Sequence, residues 1–226
     1  MTQLKGPSLA PAQGKPEQLV MFLHGVGADG NDLIGLAPYF QKVAPQAMFT
    51  APNAPFPFDM AAFGFQWFSL NDFSLEARLR GVQSAAPGLN DFIDKQLKEL
   101  GLSDDKLFLI GFSQGTMMAL HVGLRRQNPP AGIIGYSGML VGPELLAAEI
   151  RSRPRVLLVH GEADPILPFE ALPQAVSALE AAGVPVQSDA RPGLGHSIDE
   201  HGLLLGMRLI ADAVGTPLEG PGAKKP

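Results

Sequence analysis

The sequence predicts an α/β fold in which a mostly parallel central sheet is covered by helices on both faces, and three observations predict it. Continuous apolar runs of strand length, at residues 18–23, 106–110 and 155–160, read as strands buried on both sides rather than as alternating half-exposed ones. Helical patterns recur between these runs, in the rhythm of βαβ units. Gly111-Phe112-Ser113-Gln114-Gly115 joins the 106–110 run to an apolar helical segment, so a G-x-S-x-G pattern stands at a strand-to-helix turn.

Taken in order, residues 1–17 form a Pro- and Gly-punctuated lead-in with room for a short edge strand. The strand at 18–23 runs directly into His24-Gly25-Val26-Gly27-Ala28-Asp29-Gly30. A helix follows, with Asn31 or Asp32 as N-cap and Leu33, Leu36, Phe40 and Val43 on one face, and Pro38 is expected to kink it or delay its start. The next strand is 47–51. Residues 52–74 read as a long irregular stretch holding three prolines and seven aromatics, Trp67 and Phe68 among them. Such a loop either covers an apolar ligand or packs on itself. Leu75, Leu79 and Val82 mark a helical segment that Pro87-Gly88 should break. Leu89, Phe92, Ile93, Leu97 and Leu100 then mark a second helix, stopped by Gly101.

Beyond the pentapeptide, 114–127 is apolar nearly all round, as in a helix inside a layered fold. Residues 131–138 and 155–160 are strands, 168–182 a helix closed by Gly183, and 184–190 a weaker strand. Ser197-Ile198-Asp199-Glu200 has a capping-box pattern and should start the last helix, with Leu203, Met207, Ile210 and Val214 inward. One domain is expected over residues 1–214, and a disordered tail over 215–226.

Composition narrows the function. The net charge is −5 and no basic block precedes Lys224-Lys225, so neither nucleic acid nor an anionic membrane is an expected partner. With no cysteine, disulfides, thiolate nucleophiles and Cys-ligated metals are excluded. No apolar run has the length of a membrane span, and residues 1–18 lack the apolar core of a signal peptide, so a soluble cytoplasmic protein is expected.

The turn around Ser113 has the form of a nucleophile elbow, whose sharpness demands glycine two positions before and after the serine. A serine hydroxyl is a weak nucleophile, so it needs a neutral imidazole to take its proton and an acid to orient that imidazole. In this layout the order is Ser, acid, His, on loops after later strands. Of the five histidines, His24 and His160 precede the elbow or any candidate acid, His121 lies on the buried helix, and His201 is fixed within the last helix. His196, in the Gly-rich loop 193–197, remains. Asp164, a short carboxylate before Pro165, is preferred to Glu162 and Glu170. An Asx-turn at Asp164 and a capping role for His196 are the structural alternatives. An oxyanion needs two N–H donors: Gln114, at the start of a helix, supplies one and Val26, after the His24-Gly25 bend, the other. Gly25 to Gly30 also spells G-x-G-x-x-G, but the next strand ends in Thr50-Ala51-Pro52-Asn53 without the ribose-binding acid of a dinucleotide site.

Five stretches together resemble the phospholipase/carboxylesterase branch of the α/β-hydrolases, which includes acyl-protein thioesterases and small bacterial esterases. They are Leu23-His24-Gly25-Val26-Gly27-Ala28-Asp29-Gly30-Asn31-Asp32, Trp67-Phe68, the elbow, His160-Gly161-Glu162-Ala163-Asp164-Pro165-Ile166-Leu167-Pro168 and Gly195-His196. The resemblance implies an α/β-hydrolase fold with a minimal lid and hydrolysis of carboxylic esters or thioesters through an acyl-serine. It further implies Ser113, Asp164 and His196 as triad, the Val26 and Gln114 N–H groups as oxyanion hole, no cofactor or metal, and often a homodimer. Trp67, Phe68, Met139 and Leu167 are the candidates for substrate contact, with core packing an equal reading for Met139 and Leu167. Thr116 replaces a frequent glycine, and Val26 is smaller than the residue often found there. A serine carboxylesterase for short- to medium-chain esters is the main expectation. An acyl-protein thioesterase or lysophospholipase is the enzyme alternative, and a non-catalytic ligand-binding module the alternative of another class.

Overall fold

The computed structural model describes residues 4–216 and residue 218. Of the tail expected at 215–226, residue 217 and residues 219–226 lie outside the described residues. In chain order the strands are β1 (Ser8–Leu9), β2 (Gln18–Leu23), β3 (Ala47–Thr50), β4 (Phe56–Pro57), β5 (Phe65–Gln66), β6 (Leu107–Phe112), β7 (Gly132–Tyr136), β8 (Val156–Gly161) and β9 (Val186–Arg191). The helices are α1 (Gly30–Ile34), α2 (Ala37–Phe40), α3 (Leu75–Leu100), α4 (Gln114–Gly123), α5 (Pro143–Glu149), α6 (Ala171–Ala181) and α7 (Glu200–Val214). Seven strands form one sheet in the order β1-β3-β2-β6-β7-β8-β9, while β4 and β5 make a separate ribbon. Only β1 pairs antiparallel within the large sheet; its other neighbours run parallel.

The strands are apolar on both sides because both sides are covered. Leu19, Met21 and Leu23 of β2 join a core with α3, α4, α5 and α6, whereas Val20 and Phe22 join a second core with α1, α2 and α7. Burying each such side chain contributes roughly 1.5–3 kcal/mol. All ten residues of α4 are buried, which explains its all-round apolar pattern. Among the described residues no helix is long and apolar enough to cross a membrane.

Three local expectations are corrected. Asp29 caps α1 in place of Asn31 or Asp32, its carboxylate accepting from Asn31 N, and Pro38 sits in the first turn of a separate α2, so the helix is split rather than kinked. The break at Pro87-Gly88 does not occur: α3 runs unbroken for 26 residues. Pro87 faces solvent, and Val82, Ala85, Ala86, Leu89, Ile93 and Leu97 keep one stripe against the core, so packing outweighs the lost backbone bond. The last helix is capped by Asp199 accepting from Gly202 N, two residues later than the Ser197 box.

Because β3, β2, β6, β7, β8 and β9 are parallel, their carboxyl ends share one edge. Ser113 and the loops after β2, β7, β8 and β9 therefore meet there, which is where α/β sheets place ligand sites.

Candidate active site

Ser113 follows β6 without a linker and precedes α4 directly. Its φ of 54° and ψ of −117° lie outside the helix and strand basins, and its N–H donates to Tyr136 O on β7 at 2.9 Å. A Cβ at Gly115 would collide with Leu23 O and one at Gly111 with Thr116 N, so the elbow requires both glycines. Gly25 approaches as closely from the other side: a Cβ there would lie 3.3 Å from Ser113 Cβ.

Asp164, on the loop after β8, meets His196, on the loop after β9. Asp164 Oδ2 lies 2.7 Å from His196 Nδ1, and Oδ1 accepts from Ile166 N at 2.8 Å and Leu167 N at 3.0 Å. The Asx-turn therefore exists, and it orients the carboxylate instead of competing with it. Burial pushes the Asp164 carboxyl up, but the Leu167 N–H, the His196 ring and the Ile166 N–H together hold it below its ordinary value. A carboxylate only accepts, so Nδ1 of His196 carries the proton and Nε2 of the neutral ring is left as an acceptor. The imidazole packs on Phe112, ring centroids 4.9 Å apart, beside Ser113. Glu162 and Glu170, the other candidate acids, are exposed.

The aromatic stretch is fastened to the elbow. Gln114 Oε1 accepts from Trp67 N at 2.8 Å and Gln114 Nε2 donates to Phe68 O at 2.8 Å. Trp67 is fully buried and donates its indole N–H to His24 O at 3.0 Å, so it braces the loop and presents no surface to a ligand. His24 in turn accepts from Ala54 N at 2.9 Å through Nε2, with Nδ1 2.7 Å from Gly25 O. Burial lowers its pKa, in keeping with a neutral structural ring. In the loop after β2, Gly27 N donates to Phe65 O and Ala28 N to Gly25 O. Val26, between Gly25 and Gly27 in this loop, is half-buried. Gln114 N–H opens α4, where first-turn donors have no intrahelical partner.

The remaining pocket candidates separate. Phe68 lines a groove with Phe58, Asp59 and Ala77. Met139 lines a cavity of about 150 Å³ with Leu75, Leu79, Leu140 and Ala175. Leu167 is buried, and its carbonyl lies 3.1 Å from His160 Nε2.

Two residues were not legible as part of the site. His160, 2% exposed, places Nε2 3.3 Å from Asp164 Oδ2, so the carboxylate faces two imidazoles. Its position four residues before the candidate acid was the available signal. Ser137, at φ 46° after β7, donates through Oγ to Ser197 O at 3.3 Å, fastening the residue beside His196. The Ser137-Gly138 pair resembled an ordinary strand end. Among the described residues no group of three or more His, Asp or Glu side chains is placed to hold a metal ion.

A strained serine, an imidazole oriented by a buried carboxylate and the free N–H groups at the start of a helix are the parts from which acyl transfer is built. Residues 4–207 match the family model described as Phospholipase/Carboxylesterase. A probable carboxylesterase of Oryza sativa subsp. japonica is 31% identical over 86% of this chain and 77% of its own length. Acyl-protein thioesterase 1 of Neurospora crassa is 29% identical over 84% of each chain. The crystal structure of esterase PE8 superposes with a TM-score of 0.91 at 39% identity, covering 94% of this chain and all of the other.

Proposed function

The chain belongs to the phospholipase/carboxylesterase family of α/β-hydrolases, and from that premise we propose that Ser113, His196 and Asp164 are the catalytic triad of a carboxylic ester hydrolase. Ser113 Oγ attacks the ester carbonyl carbon while His196 Nε2 takes the hydroxyl proton. The carbonyl oxygen, now an oxyanion, is received by the N–H groups of Val26 and Gln114. His196 returns the proton to the departing alkoxide, and the alcohol leaves behind an acyl-serine. Water, deprotonated by the same Nε2, then attacks the acyl carbonyl and releases the carboxylic acid and Ser113. Asp164 stays ionised throughout and favours the imidazolium that forms at each step.

The observation that carries this reading is the 2.7 Å contact of a buried carboxylate with an imidazole that packs on Phe112, the residue directly before the strained serine. Short to medium acyl chains are favoured by the apolar cavity at Met139, whose volume of about 150 Å³ matches a cavity able to hold benzene. Thioester hydrolysis is the second reading, favoured by similarity to acyl-protein thioesterase 1, and the same triad would serve it.

Intact-mass spectrometry after a fluorophosphonate probe tests the assignment. A single adduct on the wild type, absent from Ser113→Ala, is expected; a folded wild type that takes no adduct would overturn it. A p-nitrophenyl ester series should then peak at or below about six acyl carbons.

A further inference from the structure

We propose that this hydrolase prefers esters carrying a second, anionic group, a carboxylate or a phosphate, and that Arg78 receives it. The proposal rests on the esterase reading above. Arg78 stands in the first turns of α3, in helical register with Val82, Ala85, Leu89 and Ile93, the stripe by which α3 meets the core. Its side chain therefore starts from the inward face. Helix α3 leads back to the start of β6, so its own start lies at the carboxyl edge of the sheet, where Ser113 is.

The guanidinium is half-buried and poorly matched. Its Nη1 lies 3.1 Å from Met139 Sδ, and its Nε is buried with no hydrogen-bond partner. A thioether is a weak acceptor for a group with five N–H donors. Among the described residues no carboxylate forms an ion pair with Arg78, whereas Arg125 and Arg126, also partly buried, pair with Glu149 and with Asp94 and Asp104. Glu76 and Glu144 line the neighbouring cavity, and neither pairs with Arg78. A half-buried guanidinium whose Nε has lost water without gaining a partner carries a desolvation cost, and an anionic ligand would offset it.

Two packing contacts tie this group to the catalytic end. Met139 follows Gly138, whose backbone lies against the Thr116 side chain in the first turn after the elbow. Phe68, whose carbonyl accepts from Gln114, sets its ring against the α3 backbone at Gly81, three residues on from Arg78. Arg78 thus touches one of the residues singled out for substrate contact, Met139, and stands about one helical turn before the point where another, Phe68, packs on α3. Its planar fork suits the paired oxygens of a carboxylate or phosphate.

The test compares kcat/KM on matched pairs. Mono-p-nitrophenyl glutarate against p-nitrophenyl pentanoate places the charge on the acyl side. Butyryl glycerol phosphate against monobutyrin places it on the alcohol side. In Arg78→Gln the charged-to-neutral ratio should fall tenfold or more on one pair, with Arg78→Lys intermediate, and the responding pair names the source of the anion. Arg80→Gln, which alters an exposed neighbour paired with Asp72, should keep the wild-type ratio. Equal loss on both members of each pair, or no change, would overturn the proposal. If the wild type hydrolyses none of the four esters, the esterase reading falls and the proposal with it.

Discussion

The side-chain oxygen of Gln114 accepts the backbone N–H of Trp67 at 2.8 Å, so the residue that follows the nucleophile also holds the aromatic loop. Its amide nitrogen donates to the next carbonyl, that of Phe68. Gln114→Ala keeps the backbone N–H assigned to the oxyanion but strands two buried backbone groups. It should cost about 2–6 kcal/mol of stability, since each unsatisfied group costs about 1–3. Misplacing the loop should also lower kcat/KM, by about 10- to 100-fold. Urea unfolding and steady-state kinetics on a p-nitrophenyl ester check both; unchanged stability would mean that the loop is held by other contacts.

The strain at Ser113 can be separated from its chemistry. Ser113→Ala and Ser113→Gly should both abolish ester hydrolysis. Alanine keeps a Cβ at φ 54° whereas glycine does not, and residues in such regions store about 1–3 kcal/mol. Glycine gives back about 0.4–1 kcal/mol through the unfolded chain. The glycine variant should therefore be the more stable of the two by about 1 kcal/mol, the reverse of the usual order. Equal melting temperatures would show that the elbow relaxes around alanine.

His160 shares its Nε2 between Leu167 O and Asp164 Oδ2. His160→Phe keeps an aromatic ring beside Phe169 but removes the donor. kcat should fall about tenfold with KM little changed. A KM left unchanged beside a lower kcat is the mark of a group that acts through Asp164 and not on substrate. A loss of stability with kcat unchanged would assign His160 to packing.

His121 makes acid stability measurable. Burial, and then the Arg125 charge, push it down to about 4 from 6.5, and its Nδ1 is buried without a partner. Between those values the unfolded chain binds a proton that the folded one does not, so stability is full above pH 6.5 and falls as pH drops toward 4. The loss is on the order of 3 kcal/mol. His121→Leu should flatten this part of the urea-midpoint profile; the same slope in both proteins would place the titration elsewhere.

Much of this was readable in the chain. Two-sided apolar runs gave the parallel sheet, and the glycines flanking Ser113 gave the elbow, because both patterns follow from local sterics and burial. Helix ends were read less well. Asp29 and Asp199 cap where Asn31 and Ser197 seemed suited, since several residues in each stretch can accept an N–H and the docking of the whole helix chooses among them. Pro87 inside α3 was misread because propensity is local, whereas the stripe from Val82 to Leu97 is held by the core.

By itself the sequence determined the layered fold, the order of serine, acid and histidine, and the exclusion of cysteine chemistry, all of which depend on residue type and short spacing. Only the tertiary structure decided that Trp67 is a brace, that Asp164 faces two imidazoles, and that Arg78 lies against a thioether with no acid paired to it among the described residues. Those are contacts between residues far apart in the chain, and their distances are set by how the helices and loops pack on the sheet, which no local pattern encodes.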